Sequence, residues 1–115
     1  MADATVETTG FGHGLVVRVS GEMDHDSELW FRAHFTELVA HDERFIVLDL
    51  SGVSFCDSAG LNVLLGVWRQ AEASGVGLVL ACVPAPLRRI FQMTGTDQVL
   101  RVSDTVTDAR AIFGG

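Results

Sequence analysis

The chain has 115 residues, the size of one domain, and 48% of them are hydrophobic, enough for a buried core. Only 20% are charged and two are proline, a composition that excludes a disordered chain. The net charge of -7 repels nucleic acid and anionic membrane on average, so neither is expected as a partner, whereas a protein with a basic patch is admitted.

No apolar run approaches the roughly 18 residues that span a bilayer. Met1-Ala2-Asp3-Ala4-Thr5 lacks the basic and apolar parts of a signal peptide, so a cytoplasmic location is expected. Cys56 and Cys82 sit in apolar stretches and read as reduced thiols in or near the core. Two cysteines so far apart lack the paired spacing of a metal site.

In chain order, Thr5 to Thr9 is a short β-prone run, Gly10 to Gly14 a turn with three glycines, and Leu15 to Val19 a second strand. A short Gly-rich link between two such runs predicts a hairpin. Gly21 to Ser27 is a polar loop, and Asp26 or Ser27 can cap the helix that follows. That helix is predicted to reach about His41, with Phe31, Phe35, Leu38 and Val39 as its buried stripe. Leu29 and Trp30 lie off the stripe; Trp30 suits either a flank of the core or a docking face.

Phe45 to Leu50 shows little alternation, as expected of a strand covered on both faces at the centre of a sheet. Ser51-Gly52-Val53-Ser54 is predicted to turn the chain into Phe55-Cys56-Asp57-Ser58-Ala59-Gly60-Leu61, a sharp strand-to-helix junction carrying a serine. Leu61, Leu64, Leu65, Trp68 and Ala71 follow helical spacing, and Gly75 ends that helix. Gly77 to Val83 is a buried strand, parallel to its predecessor as in a βαβ unit. Pro84-Ala85-Pro86 stops it and opens a helix with Leu87, Ile90 and Phe91 inward, Met93 near them, Arg88 and Arg89 in water, and Gly95 at its end. Gln98 to Val102 is a short strand. Asp104 or Thr105 caps a last helix with Val106, Ala109, Ile112 and Phe113 inward and Gly114-Gly115 at its end. The order ββαβαβαβα predicts one α/β domain over residues 1–115, a mixed sheet of about five strands packed by about four helices.

The junction at Ser58 is not a hydrolase elbow. That elbow needs small residues on both sides, and Cys56 stands at the first of them. The base would follow the serine, and no histidine occurs after His41. A nucleotide enzyme is disfavoured by the absence of a P-loop and of any lysine, although the helix start at Ser58 can attract an anion. Asp24-His25-Asp26 is too compact for a metal site and reads as a solvated approach to a helix; His13, His34 and His41 are scattered. No cofactor and no catalysis are expected. What remains is Ser58 as a phosphate acceptor. A phosphate there brings about -1.5 to -2 charge, which the helix dipole favours by roughly 0.3–1 kcal/mol. Phosphorylation is therefore expected to alter the surface without melting the helix.

At Gly21-Glu22-Met23-Asp24, at Val47 to Leu50 followed by Phe55 to Leu61, and at Pro86 to Gly95, the sequence resembles the STAS domain family, and within it the free-standing bacterial anti-sigma factor antagonists. The resemblance implies a partner switch. The unphosphorylated antagonist binds an anti-sigma factor that is also a serine kinase, and a sigma factor is freed. The kinase phosphorylates the serine of D-S-x-G-L, the complex dissociates, and a serine phosphatase restores the active form. The matching residues here are Ser58 as acceptor, Asp57, Gly60 and Leu61 around it, and Asp24 in the neighbouring loop. Cys56 replaces another apolar residue and leaves the mechanism intact. The expected docking surface takes in Ser58, Asp57, the loop with Glu22, Asp24 and Asp26, and the exposed side of the Leu61 helix. Two alternatives stand beside this one: a STAS module of another signalling assembly or a transporter regulator, and a nucleotide-binding protein.

Overall fold

The computed structural model describes residues 4–41 and 43–113. The predicted Gly114-Gly115 helix end and the Met1-Ala2-Asp3 start lie outside them. The order is β1 (Thr5–Phe11), β2 (Gly14–Met23), α1 (Glu28–Val39), β3 (Phe45–Cys56), α2 (Ser58–Ser74), β4 (Gly77–Ala81), α3 (Ala85–Thr94), a 3-10 turn (Thr96–Gln98), β5 (Val102–Ser103) and α4 (Val106–Ile112). The strands form one mixed sheet in the order β1-β2-β3-β4-β5, with only β1 and β2 antiparallel. The hairpin is tighter than expected: both strands run into the glycines, and Gly12 and His13 alone make the turn.

The lack of alternation at Phe45 to Leu48 has a plain cause. Ile46, Leu48 and Leu50 join the main core with Phe31, Phe35, Leu64 and Phe91, while Val47 packs on the other face with Val79, Ala81 and Ala109. Helices α1, α2 and α3 thus contribute to one face and α4 covers the other, and β3 is central.

Two stretches read as loops are strand. Gly21, Glu22 and Met23 continue β2, and Ser51 to Ser54 continue β3. Their polar residues and glycines signal turns, but cross-strand pairing overrides the local preference: Gly52 pairs with Ser20, Val53 with Gly21 and Cys56 with Met23. The sheet keeps its register with irregularities at Arg18 to Ser20 and at Gly21 to Glu22. Gly21 has φ +100°, a conformation open to glycine and strained for other residues. The Asp49 carboxylate accepts the Ser51 N–H at 2.9 Å, satisfying a donor beside the irregularity.

Other expectations shift by a turn or less. Helix α1 ends at Val39, short of His41. Its stripe is Phe31, Phe35 and Val39, with Leu38 half-buried; Leu29 is 80% and Trp30 39% exposed. Helix α2 starts at Ser58, before Leu61, and turns Gly60, Val63, Leu64, Val67 and Ala71 inward. Leu61, Leu65 and Trp68 are only half-buried on its flank, because the smaller side chains let the helix approach the sheet. Strand β4 stops at Ala81, and Cys82 takes φ +56°. Met93 is not part of the core, being 78% exposed, and Ile112 likewise faces outward. The Gln98 to Val102 strand is instead a 3-10 turn followed by the two-residue β5. Gly75 and Gly95 end their helices as expected, and Thr105 caps α4 by accepting the Asp108 N–H at 3.0 Å.

Candidate functional site

Parallel strands β2 and β3 end side by side, with Glu22 opposite Phe55 and Met23 opposite Cys56. The Asp57 N–H donates to the Met23 carbonyl at 3.2 Å, so the two exits remain tied beyond the last strand pair. The Asp24–Ser27 loop and the start of α2 therefore lie together at the carboxyl ends of β2 and β3, the end where open α/β sheets carry ligands.

Asp57 is the N-cap of α2. Its Oδ1 accepts the Ala59 N–H at 2.9 Å and the Gly60 N–H at 3.1 Å. Two orphan donors of the first turn are thereby satisfied, and Ser58 becomes the first helical residue. Ser58 is exposed. Among the described residues, no side chain hydrogen-bonds its hydroxyl, so its proton is not drawn toward a base. Asp57→Ala is expected to lower stability by about 1 kcal/mol, a midpoint shift of about 4 °C, read by thermal unfolding; Asp57→Asn, which caps equally well, should restore it.

Gly60 is buried, and a Cβ on it would lie 2.2 Å from the Met23 carbonyl oxygen and 2.8 Å from Cys56 Sγ. Its place in the motif is thus a packing contact that seats α2 against the end of β2. The flank residue Leu61 is half-buried against the core. Of the expected surface residues, Ser58 and Asp26 are exposed, whereas Glu22, Asp24 and Asp57 are half-buried.

The loop beside Ser58 is held by Ser27. This residue sits at the N-cap position of α1 but makes no side-chain cap bond, contrary to expectation. Its hydroxyl turns back instead, 2.8 Å from the Glu22 carbonyl and 3.0 Å from Asp24 Oδ1, while accepting the Asp24 N–H at 3.0 Å. The Ser27 N–H also donates to Asp24 Oδ1 at 3.0 Å. Asp24 is therefore pinned rather than free, and among the described residues no cluster of His, Cys, Asp and Glu can hold a metal ion. The Ser27 hydroxyl is the chief cause holding the Asp24 carboxyl below its usual range; partial burial opposes it, and backbone N–H groups of Ser27 and Asp26 add to the lowering. A group whose pKa is lower folded than unfolded contributes stability above the unfolded value of about 3.9, and loses it as pH falls through the folded one. The Asp24 side chain should titrate below about 3.9 by NMR and move upward in Ser27→Ala. Its negative charge is consequently constant across the neutral range.

Both cysteines are free. Burial, with a smaller contribution from the Asp57 charge, pushes the Cys56 thiol up to about 12; burial also raises that of Cys82. Cys56 is a wall of the junction and no nucleophile. Phe55, the first residue of the junction, is exposed, which its place in an apolar motif does not suggest. Its side chain is 52% exposed although Val53 and Cys56 around it are buried.

An exposed serine thus stands at the start of a helix, at the exits of two parallel strands of a five-stranded mixed sheet. The model of the STAS domain matches residues 4–109, and the chain belongs to that family. In sequence it is 31% identical over 96 residues to an anti-sigma F factor antagonist of Paenibacillus polymyxa, covering 83% of this chain and 82% of the relative. It is 34% identical over 83 residues to an anti-sigma F factor antagonist of Lysinibacillus sphaericus, covering 70% of each. The crystal structure of an anti-sigma factor antagonist from Mycobacterium paratuberculosis matches it with a TM-score of 0.87 at 27% identity, over 96% of this chain and 93% of the other.

Proposed function

We propose that this chain is an anti-sigma factor antagonist controlled by phosphorylation of Ser58. Unphosphorylated, it docks a kinase-type anti-sigma factor in the cytoplasm through the Ser58 edge, and the sigma factor is released. The kinase then transfers the γ-phosphoryl group of ATP to Ser58 Oγ; the hydroxyl proton leaves to the kinase and ADP is the other product. The modified chain dissociates, and a serine phosphatase hydrolyses the phosphoester to return it to service. The chain is a substrate and regulator in this cycle and performs none of its chemistry.

The observation that carries this is the exposed Ser58 hydroxyl, without a hydrogen-bond partner among the described residues, held at the first position of α2 by the Asp57 cap. The names of the relatives support the partner class.

Charge explains the release. Asp57 already accepts from the Ala59 and Gly60 N–H groups, so a phosphate on Ser58 meets a helix start whose best donors are taken by a like charge. The roughly 0.3–1 kcal/mol that the helix dipole offers is partly spent on Asp57. The fold stays intact, because nothing buried is disturbed. The partner, however, must accommodate new bulk and about -1.5 to -2 further charge beside Glu22, Asp24, Asp26 and Asp57. In gel filtration the chain should co-elute with its kinase in ADP and separate after ATP is added. A complex that persists once Ser58 carries phosphate would contradict the switch.

A further inference from the structure

We propose that the docking surface has a second, apolar half: a groove between the end of β3 and the first turns of α3 that receives one aliphatic or aromatic side chain of the same kinase partner. This rests on the docking role given above for Ser58. Val53, Cys56 and Leu87 form the buried floor of the groove, and Phe55, Pro86 and Ile90 form its partly exposed rim.

Three properties choose this occupant. The first is position. Phe55 and Cys56 line the groove and immediately precede Asp57 and Ser58, so a kinase cleft that closes over Ser58 also covers them. The second is size. The groove holds about 170 Å³. Pockets for nucleotide-sized or drug-sized ligands run to roughly 300–1,000 Å³, whereas a cavity of roughly 150 Å³ takes a single benzene ring. One large apolar side chain fits and a cofactor does not. The third is the contrast of chemistry around Ser58. The loop on one side is acidic, with Glu22, Asp24 and Asp26, and the groove on the other is lined mainly by apolar atoms. The complementary surface carries a cationic residue facing the loop and an apolar residue facing the groove.

The groove is also built on regular elements. Its walls rise from a strand end and from a helix opened by Pro84 and Pro86, and Leu87 beneath is buried in the main core. Little has to be ordered on binding, which is how a small pocket becomes an anchor site.

The test measures affinity for the purified kinase that phosphorylates this chain, in ADP, by surface plasmon resonance. Phe55→Ala and Ile90→Ala should each weaken binding about tenfold or more, chiefly through faster dissociation, with circular dichroism unchanged. Met93→Ala, which removes an exposed apolar side chain from the far end of α3, should stay within about twofold of the unaltered chain. Both groove variants binding within about twofold of the unaltered chain, while Ser58→Asp binds poorly, would overturn the groove proposal and leave the Ser58 role standing. Failure of the unaltered chain to bind would overturn both. A dimer in sedimentation that Phe55→Ala converts to monomer would give the groove to a second copy of the chain and overturn the proposal.

Discussion

Ser58→Asp is expected to lower the affinity of this chain for the proposed kinase-type anti-sigma factor by about 30-fold or more, and Ser58→Ala to leave that affinity nearly intact while making the complex resistant to ATP. The two substitutions separate the roles of one hydroxyl. Ser58 is exposed and its Oγ bonds to no described side chain, so replacing it costs the fold roughly 0.5 kcal/mol at most. Alanine keeps the Asp57 cap, the backbone N–H groups and the contour of the helix start, and removes only the acceptor oxygen. Aspartate adds a charge at a point already flanked by Asp57 and the Glu22–Asp26 loop, within the proposed docking surface. A like-charge juxtaposition of that kind costs about 2 kcal/mol or more, hence the factor of about 30. Circular dichroism of both variants should match the unaltered chain. Equal binding by the two variants would mean that charge at Ser58 does not govern the partner.

Gly60→Ala is expected to destabilise the chain by about 2 kcal/mol or more, against the usual rule for a helix interior. In an unobstructed helix the exchange gains roughly 0.5–1 kcal/mol, because alanine loses less backbone freedom on folding. Here the new methyl would meet the Met23 carbonyl oxygen at 2.2 Å. That oxygen also accepts the Asp57 N–H at 3.2 Å and belongs to a strand paired with β3, so it cannot retreat cheaply. The steric cost, typically about 1–3 kcal/mol for overpacking and here against backbone, exceeds the propensity gain. Gly66→Ala in the same helix is the control. Its methyl would meet only Arg32 Nη1, at 3.3 Å, the far end of a flexible side chain. It should be neutral or stabilising by up to about 1 kcal/mol. Denaturant unfolding of the pair checks this. Because Gly60 seats α2 on the end of β2, the alanine variant should also slow phosphorylation of Ser58, while Gly66→Ala should not.

These expectations depend on features that differ in how far the sequence reveals them. The central strand and the helix that follows Ser58 were legible, because an uninterrupted apolar run and a helical spacing each act within a few residues of chain. The extension of β2 through Gly21-Glu22-Met23 and of β3 through Ser51 to Ser54 was not. Both stretches carry turn residues, and what keeps them extended is mutual pairing between segments about thirty residues apart. The inward face of α2 was only partly legible for a related reason: Leu64 and Ala71 are buried as expected, whereas Leu61, Leu65 and Trp68 lie on the flank. Leucine and tryptophan outweigh valine and glycine in a spacing argument, yet close approach to the sheet selects Gly60, Val63 and Val67. Asp26 or Ser27 was expected to cap α1, but no side chain does, and Ser27 instead bonds Glu22 and Asp24, holding the loop next to the serine. The groove beside Ser58 could not be seen at all in one dimension, since its two sides come from β3 and α3.

The most direct measurement is mapping of phosphate by mass spectrometry after the chain is incubated with ATP and the proposed anti-sigma kinase. One phosphate on Ser58, absent from Ser58→Ala and appearing as the complex dissociates, is the predicted result. Phosphate on another residue with Ser58 unmodified, or dissociation without any phosphate on the chain, would contradict it.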